Sequence, residues 1–155
     1  MPTRLRDEIK QTKPFVSLEQ EALLSIERTA AVLGHSMAEA LKPFGVTPTQ
    51  YNALRILRGA GPDGLCRNEV GERLIARVPD VTRLLDRLEE MGLIARERDT
   101  DDRRLVKTRI TPAGLKLLAR LDGPVAAAHR EQLGHMGERS LRALIDLLAE
   151  ARGHG

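Results

Sequence analysis

Two groups of guanidinium-bearing residues carry the chemistry open to this sequence. Thr82, Arg83 and Arg87 fall where one helical face would hold them, and Arg98, Arg103, Arg104 and Lys107 surround a polar segment, Asp99 to Arg104, further on. A planar guanidinium presents a fork of donors that fits two acceptors on a guanine edge or two oxygens of a phosphate, and lysine adds a point charge. Such a set could grip a nucleic acid. It could equally be a solvated helix face beside a solubilised hairpin, so the neighbouring elements decide.

Other chemistries find no constellation. His129 and His135 stand six apart with Glu131 between them, so they do not share a helix face as ligands four residues apart would. Cys66 is the single cysteine; it could be a redox switch or a small packing residue, and it excludes an internal disulfide framework. There is no nucleophile elbow, phosphate loop or paired His and Cys, so an enzyme is not expected, nor a metal or cofactor.

The elements that must position the arginines can be read from periodicity. Val81, Leu84, Leu85, Leu88 and Met91 recur at three- and four-residue steps, which predicts a helix with Asp80, Thr82, Arg83, Asp86, Arg87 and Glu90 opposite. Pro79 suits the first turn and Gly92 the left-handed position after the helix. The period then becomes two, through Ile94, Arg96 and Arg98 on one arm and Val106, Thr108 and Ile110 on the other. Residues 65–76 predict a short preceding helix that buries Leu65, Val70, Leu74 and Ile75, joined to the next by Arg77, Val78 and Pro79. Helix, turn, helix and hairpin together form a winged helix-turn-helix, in which the second helix can enter a major groove and the hairpin can reach the minor groove or backbone. That context favours DNA contact by Thr82, Arg83, Arg87, Arg98, Arg103, Arg104 and Lys107. Arg77, Asn68 and Arg67 are further candidates for phosphate contact, the last two because helix N-termini attract anions. Asp80 is awkward beside phosphates. It could accept from a cytosine amino group, brace Arg83 or Arg77, or favour the helix N-terminus electrostatically.

The flanks look different. Residues 1–14 are polar and basic and predict an extended arm. Ser17 and Gln20 form a capping signature for a helix running to about Lys42, with Leu18, Ala22, Ile26, Ala30, Leu33, Met37 and Leu41 in one stripe. A stripe that long exceeds what one wing domain needs to cover. Thr47-Pro48-Thr49-Gln50 opens a helix burying Tyr51, Leu54, Ile56 and Leu57. Thr111-Pro112 opens another, with Leu115, Leu118, Leu121 and Val125 on one side and Gly123-Pro124 expected to kink or interrupt it. After a turn at 134–137 a last helix, 138–152, would turn Leu141, Leu144, Ile145 and Leu148 inward. These terminal helices are the ingredients of a helical dimer interface. His35, Tyr51 and Arg55 could supply the few polar groups of an apolar ligand pocket there, or could be interface and core groups.

Composition agrees without forcing the case. The chain has 155 residues and net charge +3, with a pI near 9.4, which permits an anionic partner, although acidic residues are interspersed among the arginines. It has no apolar run long enough to span a membrane and no leader-like segment, so a cytoplasmic protein is expected. Phe15, Phe44 and Tyr51 are the only aromatics, too few for base-stacking platforms.

From Thr47 to Leu118 the sequence resembles the multiple-antibiotic-resistance regulator (MarR) family of bacterial winged-helix transcription factors. The resemblance lies in Thr47-Pro48-Thr49-Gln50-Tyr51, in Val81 to Glu89 with Gly92-Leu93-Ile94, in Asp99 to Arg104, and in Ile110-Thr111-Pro112-Ala113-Gly114. It implies a homodimer joined through the terminal helices, bound to a pseudo-palindromic operator and released by a small ligand, often a phenolic or other lipophilic anion. It also places the family's Asp-x-Arg wing motif on Asp102 and Arg104, with Arg104 entering the minor groove and Asp102 holding its guanidinium. Two departures stand out: Pro79 and Asp80 replace small hydroxyl residues, and no cysteine lies near the start of the first long helix, where peroxide-sensing relatives have one. The expected architecture is mainly α with a small β-hairpin wing: an arm and dimerisation helix over 1–46, a DNA-binding lobe over 47–111 and dimerisation helices over 112–155, in one structural domain. The expected function is a ligand-released repressor that binds double-stranded DNA. The competing expectation is a winged-helix protein-interaction module without ligand gating.

Overall fold

Side-chain caps mark where several of the helices begin. The computed structural model describes residues 4–153. Within the arm expected to be extended there is one helical turn, α1 (Leu5–Glu8), closed by backbone bonds to Arg4 O and Leu5 O, and Arg6 donates to the backbone oxygens of Gln11 and Thr12 just after it. The first three residues of that arm lie outside the described residues. Helix α2 (Leu18–Leu41) starts where Ser17 Oγ accepts from Gln20 N at 3.0 Å, while Gln20 Oε1 accepts from Val16 N at 2.8 Å. Helix α3 (Pro48–Ala60) has a reciprocal capping box, with Thr47 Oγ1 accepting from Gln50 N at 3.1 Å and Gln50 Oε1 accepting from Thr47 N at 3.0 Å. Each cap satisfies N–H groups that the first helical turn leaves without partners.

The helix-turn-helix is built differently from its sequence outline. Helix α4 (Arg67–Arg73) is shorter at both ends than the expected 65–76. Leu65 is instead bridged to Thr108, with N···O distances of 2.9 and 2.7 Å, and Leu74 turns extended at ψ 138°. The connection to helix α5 (Val81–Glu90) therefore spans residues 74–80 rather than three residues. Pro79 lies outside the first turn of α5. Asp80 is the N-cap, and its Oδ1 accepts from Arg83 N at 2.9 Å. A short carboxylate can satisfy that N–H and a proline cannot, so the helix begins at Val81, two residues after Pro79. Ile75, expected to be buried, is 91% exposed because the helix has already ended.

The wing follows Gly92, which takes the expected left-handed conformation at φ 75°. Strands β1 (Ile94–Arg98) and β2 (Val106–Ile110) pair antiparallel in the register Ile94 with Ile110 and Arg96 with Thr108. The hairpin is locked to the helix after it. Thr111 Oγ1 donates to Gly92 O at 2.7 Å and accepts from Gly114 N at 3.1 Å. Gly114 lies so close to Leu93 O and Ile110 that a Cβ would have no room.

Helix α6 (Pro112–Leu133) is unbroken, although Gly123-Pro124 was expected to kink or interrupt it. Interior proline costs about 3 kcal/mol. Leu118, Leu121 and Val125 on the same turns are buried, and each contributes roughly 1.5–3 kcal/mol, so packing wins. These side chains join Leu41, Leu54, Leu57, Val70, Leu85 and Leu88 in one core that draws on α2 through α6. Helix α7 (Gly137–Arg152) stands apart, with no buried residue. Ile145, expected to face inward, is 63% exposed, and Leu115, expected on one side with Leu118, Leu121 and Val125, is 43% exposed. No helix among the described residues is long and apolar enough to cross a membrane.

Candidate nucleic-acid interface

Helix α5 owes its outward face to its inward one. Leu85 and Leu88 are sunk in the core with Val81 and Leu84 beside them, so Arg83 and Arg87 must project into solvent and Thr82 lies half-buried between the faces. Arg83 makes no side-chain hydrogen bond among the described residues, and Arg87 pairs only with Glu90, at 3.4 Å. Arg67, in the first turn of α4, donates Nη1 to Thr82 Oγ1 at 3.0 Å. Two clefts adjoin this contact. One, of about 350 Å³, is bordered by Cys66, Arg67, Thr82, Arg96 and Arg104; the other by Asn68, Arg77, Pro79, Asp80 and Thr82. The winged fold thus brings Thr82 and Arg104 to one cleft from residues far apart in sequence.

The wing tip is organised by its own side chains. Asp102 Oδ1 accepts from Arg104 N at 3.1 Å and from Arg104 Nε at 3.4 Å, while the Arg104 side chain is 93% exposed. Arg98 Nη1 donates to Arg103 O at 2.7 Å, which closes the turn. Lys107 is half-buried. Near the base of the hairpin, Arg109 donates to Pro62 O at 2.6 Å and meets Glu97 at 3.2 Å.

Arg96 is the residue that periodicity placed on a strand without assigning it a task. Its Nη2 lies 2.6 Å from Asp86 and 2.9 Å from Glu89, and its Nε donates to Glu89 at 3.2 Å. These bonds, to Glu89 first, raise the Arg96 guanidinium above its ordinary range, and Arg96 in turn holds Glu89 below the usual carboxylate range. The signal was present in the sequence. Arg96 shares strand parity with buried Ile94, and Asp86 and Glu89 are three apart on one helix edge.

The other candidates separate. Tyr51 and Arg55 lie on successive turns of α3, the guanidinium carbon 6.0 Å from the ring centroid, whereas His35 is exposed on α2. None of the three borders either cleft. Cys66 is the N-cap of α4, and its thiol and N–H hold the Glu69 carboxyl below its usual range. Among the described residues no group of three or more His, Cys, Asp or Glu could hold a metal ion.

Comparison with known proteins places this arrangement. The sequence profile of the MarR family matches residues 46–106. A MarR transcription factor from Planctomyces limnophilus, known from its crystal structure, is 41% identical, covering 87% of this chain and 98% of that one with a TM-score of 0.67. The transcriptional repressor MdtR of Bacillus subtilis is 34% identical over 97 residues, which is 63% of this chain and 61% of MdtR. The crystal structure of the S. aureus MepR–DNA complex aligns with a TM-score of 0.73 over 90% of this chain and 98% of that one, at 23% identity, which bears on the fold alone.

Proposed function

This chain belongs to the MarR family of transcriptional regulators, which are not enzymes, and from that premise we propose that it is a homodimeric repressor that reads a pseudo-palindromic operator with α5 and its wing. The observation that carries this reading is the cleft bordered by both Thr82 of α5 and Arg104 of the wing, with Arg83 and Arg87 of the same helix exposed to solvent. A helix of this diameter fits a major groove, and a hairpin at its side reaches the neighbouring minor groove or backbone. Asn68, Arg77 and Lys107 would add phosphate contacts around that centre. Asp80 works from its N-cap position, holding the first turn of α5 in shape, and Pro79 sets the approach to it. On a two-fold dimer the two α5 helices would sit about 34 Å apart, one turn of DNA.

We propose further that a lipophilic ligand releases the protein from its operator. A compound bound between the long helices and α3 would change that spacing if it preferred one arrangement, and a preference of about 1.4 kcal/mol lowers operator affinity tenfold.

The test begins with a duplex that the protein selects from a random-sequence pool. Arg83→Ala should cost about 1–3 kcal/mol there and relax base preference, whereas Arg104→Ala should weaken binding more uniformly and flatten the salt dependence by about one phosphate. Unchanged affinity in both variants would sink the assignment. Titration of aromatic acids, lipophilic cations and oxidants against the bound duplex tests release. No response from any of them would leave repression governed by protein abundance.

A further inference from the structure

Among the described residues, Arg109, Thr108 and Arg96 tie the wing to the rest of the lobe above its base, Arg109 through Pro62 O, and only the ties of Arg96 reach the recognition helix. Thr108 of β2 is tied through backbone hydrogen bonds to Leu65, just ahead of α4. Its cross-strand partner Arg96 is tied to Asp86 and Glu89 on α5, and the Arg96 side chain is only 22% exposed. Beyond Arg96 the side-chain hydrogen bonds of the outer wing are internal to it: Arg98 to Arg103, Asp99 to Asp101 and Arg104 to Asp102.

We propose that Arg96 is the positioning residue of the wing, fixing the angle between the hairpin and α5 so that Arg103 and Arg104 meet the duplex in register with Arg83 and Arg87. The proposal rests on the DNA-binding reading above. A lever argument gives it weight. From Arg96 to Asp101 the chain can reach at most roughly 17 Å, at about 3.3 Å per residue. A tilt of about 10° at Arg96 would move the tip by up to roughly 3 Å, as much as the whole length of a hydrogen bond. Arg96 is suited to resist that tilt. One planar group meets two carboxylates from different positions along the helix, and this restricts rotation as well as distance. Lysine at this position would keep the charge and lose the fork.

The same grip changes what a duplex meets on α5. Asp86 and Glu89 are carboxylates on a helix whose outer face is otherwise fitted to polyanions, and Arg96 draws both toward the wing base. Neutralising them is a by-product of the anchor. It predicts that removing the carboxylates and removing the arginine will have opposite effects on general affinity but the same effect on wing placement.

The experiment is a double-substitution cycle on the full chain, read with the duplex that the wild-type protein selects from a random pool. Arg96→Gln should lower affinity about tenfold. In that background Arg104→Ala should cost less than about twofold, against about tenfold in the wild type, while Arg83→Ala should cost the same in both. Arg96→Lys should behave as Arg96→Gln. A fold defect would depress the contributions of Arg83 and Arg104 alike, so the split between them reports placement. Asp86→Asn with Glu89→Gln leaves Arg96 in place and should uncouple Arg104 in the same way, which keeps the test available if the Arg96 variants do not fold. Additivity of Arg104→Ala with the variants of both kinds overturns the positioning role while leaving DNA binding intact. Failure of the wild-type protein to select any duplex overturns both the role and the functional reading beneath it.

Discussion

Helices α5 and α7 are both amphipathic, yet their apolar sides meet different fates. In α5, Leu85 and Leu88 are 1% and 0% exposed, on a helix packed against α4 and the first strand of the wing. In α7 nothing is buried, and Ile145 and Leu147 are 63% and 62% exposed. Val16 and Leu18 at the start of α2 are likewise 85% and 81% exposed. Apolar surface spread over both ends of a chain is rare on soluble monomers. One pattern completes a core within the chain, and the other leaves apolar surface uncovered, where the proposed second copy would sit.

The largest expected effect tests the closed side of that comparison. Leu88→Ala should destabilise the lobe by about 2–5 kcal/mol, because it opens a cavity in a core with no slack. Ile145→Ala should leave the thermal midpoint of a dilute sample nearly unchanged. Equal losses at both sites would erase the distinction between the helices. The open side is tested by charge. Ile145→Glu with Leu147→Glu should weaken self-association by about a hundredfold, near 2.7 kcal/mol, since carboxylates would have to be buried against a partner. Sedimentation at micromolar concentration reads the result. A wild-type protein that is monomeric there would refute the homodimer outright.

A smaller effect separates shape from charge at the start of α5. Asp80→Ala should cost about 1 kcal/mol of stability and weaken DNA binding, whereas Asp80→Asn should retain the cap and remove a negative charge near the phosphates. Asn binding DNA as well as or better than Asp identifies capping as the task. If Asn fails as badly as Ala, the carboxylate charge itself is needed.

Periodicity and caps made the element order legible. Ser17, Thr47 and Thr111 were readable because a cap is local chemistry, settled within four residues. Two of the misjudged positions depended on remote partners. Leu65 left the α4 helix because Thr108 claimed its backbone, and Pro124 stayed inside α6 because Leu118, Leu121 and Val125 were already buried. In the candidate interface, the exposed arginines of α5 were visible from helical spacing. The task of Arg96 was hidden, since an arginine on a short strand looks solvated until the helix beside it is known to carry Asp86 and Glu89 at the right height.

The smallest expected effect concerns the link between the two regions. Arg58 on α3 donates to both carboxylate oxygens of Asp122 on α6, at 3.0 and 3.1 Å, and so joins the DNA-facing lobe to a helix that continues toward the proposed dimer surface. Those bonds hold the Asp122 carboxyl below its usual range and raise the Arg58 guanidinium above its own. Arg58 stays protonated at every pH of interest, so only Asp122 titrates. A carboxyl depressed in the folded state contributes stability that is fully present above its unfolded value, about 3.9, and is lost as pH falls through the folded value. The pair lies at the surface, where water and salt screen it, so its contribution is modest. The thermal midpoints of the wild type and Asp122→Asn should therefore differ by a small constant amount between pH 5 and 8 and converge below about pH 4. Added salt should narrow the gap at neutral pH. A gap that persists unchanged at pH 3 would mean that Asp122 acts through packing. The two regions would then be joined by their shared leucines alone.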